Sequence, residues 1–271
     1  MYGREKLSIV VAVNNMDVLE KNLLRSLQLA QGAQHELIVK RDYPSAGLAY
    51  NSAIEESSND LMMFVHQDIF LPEDWFLELE RALSYLEGNR IKWGVLGCYG
   101  CSKYAPQGKG TVYTTGLGVH GTPIVNPEPV EALDEIVLII RRSSGLRFDC
   151  RMPHFHLYGT DICLSARVRG YGCHAFQAFC IHNTNQILRL PHEYWGCYEY
   201  IKRKWRAYLP IYTPCAVVQR FSKERYRELL SGVYRRVIGR PLLPAPRVED
   251  PRTLLTAGDH TSLTVNPDRS R

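Results

Sequence analysis

Short apolar runs alternate with stretches of helical periodicity through the first quarter of the chain. SIVVAV, residues 8–13, predicts a buried strand that ends at Asn14-Asn15. Residues 16–32 then place Val18, Leu19, Asn22, Leu23, Ser26, Leu27 and Ala30 on one face of a helix, which Gly32 stops. ELIVK predicts a second strand, AGLAYNSAIEES a second helix and LMMFV a third strand. Strand–helix–strand–helix–strand with short connections implies parallel pairing, right-handed crossovers and helices on both sheet faces. Such sheets bind ligands outside the carboxyl ends of their strands. The residues to inspect are therefore Asn14 and Asn15, Arg41 and Asp42, and His66-Gln67-Asp68.

From Trp93 to Arg142 the pattern changes. WGVLGCYGC, the glycine-rich KGTVYTTGLGVHGTP and EIVLIIRR predict β structure between turns, a mixed extension of the sheet. DICLSARVRG predicts a short helix with Thr160 as N-cap and Gly170 as stop, and AFQAFCIHN a strand delivering His182. Tyr194, Tyr198, Ile201, Trp205 and Tyr208 form an aromatic stripe at helical spacing, which reads as core before it reads as a sugar platform. A second amphipathic helix, roughly 222–238, sets Tyr226, Leu230, Val233 and Val237 opposite Arg225, Arg227, Arg235 and Arg236. Past Gly239 periodicity is lost and Pro, Ser, Thr and Asp dominate. The expected organisation is a body over 1–214, a basic helical appendage over 215–240 and a disordered tail over 241–271.

Composition narrows the class without naming a function. The chain has 271 residues, 45% hydrophobic and 23% charged, which excludes a wholly disordered or fibrous protein. No apolar run approaches the ~18–20 residues of a membrane span, and MYGREK lacks the apolar stretch of a secretory signal. A cytoplasmic location follows as the expectation. The eight cysteines then read as free thiols; Cys98 and Cys101 form a CxxC with no second pair, so packing outweighs zinc or redox chemistry. The net charge of +5 is concentrated in 199–240, where eleven Lys/Arg face three Glu. That asymmetry suggests an anionic partner for the appendage, such as the inner surface of a membrane; a solvated helix face is the competing account. Nucleic acid is not expected as a partner.

Asp68 ends a parallel strand at the ligand-binding edge, a position suited to a divalent cation that bridges a diphosphate, and His66 projects to the same side. The competing account makes Asp68 the cap of the turn before LPEDW. LMMFVHQD, then YGTDICLSARVRGYG, then FCIHN, in that order, resemble the GT-A glycosyltransferases, in particular the family 2-like group. The resemblance implies an α/β fold with a mostly parallel central sheet, helices on both faces and the helical appendage behind it. It implies that Asp68 and His182 hold a divalent metal, with His66 where a first acid usually stands. Imidazole there favours Mn²⁺ over Mg²⁺. It further implies that Val13, Asn14, Arg41, Asp42, Asn51, His66, Gln67 and Asp68 surround a nucleotide-sugar donor, UDP-sugar foremost, and that Asp161 is the catalytic base of an inverting transfer. Asp134, Glu135 and His156 stand next in line for that base. The acceptor would be a hydroxyl of a carbohydrate, glycolipid or protein. Asn14-Asn15 also read as helix caps and Asp42-Tyr43-Pro44 as a turn. The alternative from another class is a non-catalytic, degenerate GT-A module that docks on a membrane or partner through its basic helix.

Overall fold

The computed structural model describes residues 6–26, 35–185, 190–221 and 245–255. The helix expected at 222–238 lies outside them. β1 (Leu7–Val13), β2 (Glu36–Arg41) and β3 (Leu61–His66) pair in parallel with β1 in the middle. The apolar run expected to extend the sheet, β11 (Val137–Arg141), instead sits inside it, antiparallel to both β3 and β5 (Trp93–Gly97). With β12 (Gly172–Ala175) and β9 (Glu128–Pro129) the seven-stranded order is β2-β1-β3-β11-β5-β12-β9. The sheet is thus mixed: β2-β1-β3 and β5-β12 pair in parallel, whereas β11 runs against both β3 and β5, and β9 against β12. β11 belongs at the centre because Val137 to Ile140 are buried on both faces, as continuous apolar runs require.

Alternation along the strands divides the core in two. Val10, Phe64, Leu138 and Ile140 pack on one face beneath α2 (Ala46–Glu56), α4 (Tyr158–Val168) and α5 (His192–Lys204). Ile9, Val11, Met63, Val65 and Ile139 pack on the other beneath α1 (Met16–Lys21) and α3 (Trp75–Gly88). Of the aromatic stripe, Tyr194, Tyr198 and Ile201 are buried in the first core and Trp205 packs against it, whereas Tyr208, beyond the end of α5, is exposed. All eight cysteines are free thiols. Among the described residues no helix is long and apolar enough to cross a membrane.

Two helix boundaries differ from the periodicity. α1 stops at Lys21, because Asn22 on its apolar face is fully buried and turns its amide back onto the Val18 carbonyl at 2.8 Å. A 3-10 turn, Leu23–Arg25, continues the chain. α4 begins at Tyr158, after Leu157 at φ +60°, so Thr160 is an interior helical residue rather than the N-cap.

A second, six-stranded sheet runs β10 (Ala132–Leu133), β6 (Gly100–Ser102), β7 (Ala105–Thr114), β13 (Cys180–His182), β4 (Ile69–Phe70), with β8 (Gly118–Thr122) on β7. β4 follows Asp68 directly, so the two sheets meet at the carboxyl end of β3. Residues 245–255, inside the stretch expected to lack structure, lie against this junction. Val248 and the Asn183 side chain exchange two hydrogen bonds of 2.9 Å, and Pro251–Leu254 forms a 3-10 turn. The polar side chains of Asn183 and Asp68 anchor this stretch, which is why hydrophobic periodicity did not reveal it.

Gly110 carries the tightest approach in the second sheet: at φ +82°, an added Cβ would lie 1.9 Å from the Cys98 carbonyl oxygen. Gly110→Ala is expected to lower the unfolding free energy by at least ~2 kcal/mol, read as a fall in the urea midpoint.

Candidate functional site

Strand register builds the site. Val13 pairs with Arg41 and Ala12 with His66, so β2, β1 and β3 end along one edge. β11, running the other way, begins at that edge, and His66 N–H donates to the Ile136 carbonyl at 3.2 Å. The chain leaves β3 through Gln67, whose side-chain oxygen accepts from the Asn14 and Asn15 N–H groups at 3.2 and 3.1 Å. Its amide nitrogen donates to Asn14 Oδ1 at 2.6 Å. Asp68 is thereby fixed, and the antiparallel pairing of Ile69 with His182 brings the histidine across to it. One ligating atom each from His66, Asp68 and His182 lies within 4.8 Å of the others. His182 Nε2 is 3.5 Å from Asp68 Oδ1, and the two imidazoles meet edge-on with centroids 5.8 Å apart.

Burial and mutual charge set the ionisation of these three groups. Burial pushes His66 down to about 4 despite the opposing charge of Asp68, so at neutral pH it is a neutral imidazole. Burial also raises the cost of the Asp68 charge, yet the charge and hydrogen bond of His182, with His66 and Arg247 behind, hold its carboxyl well below the usual range. Burial opposes protonation of His182, but Asp68 outweighs it and the net movement is upward. Tyr158 Oη contacts His66 Nε2 at 2.9 Å and donates to the Glu135 carbonyl at 3.3 Å. With the phenolic proton on that carbonyl, Nε2 of His66 donates and Nδ1 keeps its lone pair. One carboxylate and two imidazoles form a donor set that fits Mn²⁺ better than Mg²⁺, which prefers oxygen alone.

Around this cluster stand groups that periodicity does not single out. Arg247 Nη2 donates to Asp68 Oδ2 at 3.1 Å. Asp134 and Glu135 precede β11 at the same edge, both half-buried. Gly159 N–H, in the first turn of α4, donates to Glu135 Oε1 at 3.2 Å, and a Cβ on Gly159 would meet that same oxygen at 3.2 Å. The Leu133 carbonyl, 2.7 Å from that Cβ, and the Glu135 side chain together fill the space that a side chain at 159 would take. Burial, and then the neighbouring Asp134, push it well above the ordinary carboxylate range.

Other residues assigned from the sequence lie in different settings. Val13 is buried at the end of β1, whereas Arg41 and Asp42 are exposed at the same edge, Asp42 at φ +60°. The Asn51 amide is committed to the backbone of Phe148, donating to its carbonyl at 2.8 Å and accepting from its N–H at 3.0 Å. It ties α2 to the loop before α4 and is not brought to the His66–Asp68–His182 cluster. His156 packs edge-on against Tyr194. Asp161 is 2% exposed and accepts from Lys204 Nζ at 2.8 Å and Trp205 Nε1 at 2.7 Å. Burial pushes its pKa up further than Lys204 pulls it down. Lys204 also reaches Asp149 at 2.8 Å, so Asp161 anchors the end of α5 to α4.

That anchoring is measurable. Lys204→Met strands a buried carboxylate and is expected to cost ~2–3 kcal/mol in chemical denaturation. In an Asp161→Asn background the same change should cost clearly less, because no buried charge loses its partner. Equal costs in both backgrounds would contradict the coupling.

Comparison with known proteins places the chain. Residues 8–194, more than half its length, match the family described as "Glycosyltransferase like family". A protein of Fuscovulum blasticum named "ATP synthase subunits region ORF 6" is 29% identical over 135 residues, covering 47% of this chain and 52% of that protein. The chain thus spans about half the length of that relative. Among solved structures, GalNAc-T7 with UDP, GalNAc and Mn²⁺ superposes with a TM-score of 0.47 at 9% identity, over 67% of this chain and 44% of the other. A mannosyltransferase from Pyrobaculum calidifontis, in complex with GDP-Man and Mn²⁺, gives 0.44 at 10% identity, over 95% and 70%. On the extent of the family match, this chain belongs to the glycosyltransferase-like family, its residues 8–194 spanning the strand ends and the His66–Asp68–His182 cluster.

Proposed function

We propose that the chain transfers a sugar, with inversion, from a nucleoside-diphosphate sugar to a hydroxyl acceptor, and that His66, Asp68 and His182 hold a divalent cation, Mn²⁺ foremost. The observation that carries this reading is the convergence of the three ligating atoms within 4.8 Å at the carboxyl edge of β3. A cation bound there supplies charge to a departing diphosphate. Arg41, Val13 and Asn14 line the edge beside it and suit the base and ribose of a UDP- or GDP-sugar, the Asn14–Gln67 contacts keeping the β1 and β3 turns in fixed relation. The acceptor is the hydroxyl of a carbohydrate, glycolipid or protein.

The chemical step is a single displacement. The acceptor oxygen forms its bond to the anomeric carbon as the bond from that carbon to the diphosphate oxygen breaks, and the hydroxyl proton passes to a carboxylate. Resemblance points to Asp161, whose oxygens are both engaged by Lys204 and Trp205. Glu135 suits the task better. It lies half-buried at the β11 edge, where its carboxyl accepts from Gly159 N–H and where Tyr158, hydrogen-bonded to its carbonyl, reaches His66.

Three outcomes follow. Asp68→Ala should abolish Mn²⁺-dependent binding of UDP- and GDP-sugars in calorimetry while the protein stays folded; undiminished binding would remove the metal assignment. Glu135→Gln should bind donor normally and lose at least ~100-fold in transfer rate, with Asp161→Asn losing far less. The reverse order would return the base to Asp161, and donor binding without turnover in the unaltered protein would favour a binding module. Finally, Mn²⁺ needs His182 neutral, and His182 is raised by Asp68. Mn²⁺ affinity should therefore increase as pH rises through that raised pKa and fall below it, with proton release visible in buffers of different ionisation enthalpy.

A further inference from the structure

The geometry points to Arg247 as a ligand for the donor's diphosphate, one that also competes with the cation for Asp68 and so makes cation and nucleotide binding depend on each other. This rests on the reading of His66, Asp68 and His182 as the cation site. Arg247 is placed by a built network rather than by chance contact. Its Nε donates to the Asn183 carbonyl at 2.6 Å and its Nη2 to Asp68 Oδ2 at 3.1 Å, while its own N–H donates to Asn185 Oδ1 at 3.1 Å. Asn183 is fully buried; besides its paired bonds to Val248 it donates through Nδ2 to Asn22 Oδ1 at 2.7 Å, and its N–H donates to the Asp68 carbonyl at 2.9 Å. The residues beyond continue the strap: Glu249 pairs with Lys21 at 2.9 Å and Asp250 with Arg25 at 3.6 Å. One residue between His182 and the strap thus fixes both Asp68 and Arg247.

The guanidinium is only partly spent. Its side chain is 24% exposed, and among the described residues no hydrogen bond is made by Nη1. A planar fork with donors to spare, beside a carboxylate at a strand edge, matches the oxygens of a phosphate. Charge decides how it behaves. A divalent cation arriving alone at Asp68 meets a positive group already on that carboxylate and is repelled. A diphosphate brings negative charge that the cation and Arg247 both neutralise, so each of the two ligands improves the site for the other. Reciprocity requires the same factor in both directions.

The test uses the full chain with Mn²⁺ alone, UDP or GDP alone, and each nucleotide with Mn²⁺, followed by calorimetry and by the electron paramagnetic resonance of free Mn²⁺. In the unaltered protein, Mn²⁺ and the preferred diphosphate should each tighten the other. Arg247→Ala should bind Mn²⁺ alone several-fold more tightly yet bind the nucleotide in the presence of Mn²⁺ ~10-fold or more weakly, losing the mutual effect. Arg247→Lys, a charge without the fork, should fall between them. Unchanged affinities in Arg247→Ala would make the strap purely structural, and a gain in both would make Arg247 only a plug; either overturns the inference. Unaltered protein that binds neither Mn²⁺ nor either nucleotide would instead overturn the cation-site reading and this inference with it.

Discussion

Asp68 holds a negative charge almost wholly out of water at the end of an apolar strand, with 8% of its surface exposed. A buried carboxylate without partners costs several kcal/mol, so the surrounding chain must answer it. It does so from one neighbour and two distant places: His66 two residues before, His182 through the β4–β13 pairing, and Arg247 through the Asn183-held strap. These contacts also join the two sheets and the C-terminal segment. The same charge that organises this junction is what a cation would bind under the proposed function. Arg247 is then the partner that a cation must displace or share.

The strand-and-helix alternation was readable in the sequence because β1, β3 and β11 are apolar runs and the segments between the first strands show helical periodicity. The placement of β11 was not. Periodicity says that VLII is buried but not which neighbours bury it, and pairing between β3 and β5 depends on contacts distant in sequence. The boundaries that shifted did so for polar reasons. Asn22 ends α1 by folding its amide onto Val18, and Leu157 at positive φ starts α4 early, leaving Thr160 inside.

The site shows the same division. His66, Asp68 and His182 stood out because they follow strands, and the register brings them together. Asn51 and Asp161 looked equally well placed, yet their side chains are used to hold elements: one on the Phe148 backbone, the other on Lys204 and Trp205. Sequence position alone cannot tell a free carboxylate from one that meets a lysine 43 residues further along the chain. Arg247 and Asn183 escaped for the opposite reason. Arg247 lies where the composition suggested no order, and Asn183 closes a strand that was read only as delivering His182. Glu135 is intermediate. It was visible as a charge opening a strand, but its relation to Gly159 belongs to the folded chain.

The central claim is that a divalent cation sits among His66, Asp68 and His182 when a nucleoside diphosphate is bound. Crystals grown with Mn²⁺ and UDP or GDP, measured at the manganese absorption edge, test it directly. The account predicts one anomalous peak within coordination distance of Asp68 and both imidazoles, with the diphosphate on its open side. A nucleotide bound at the strand edge with its manganese peak elsewhere, or with no peak at all, would contradict it.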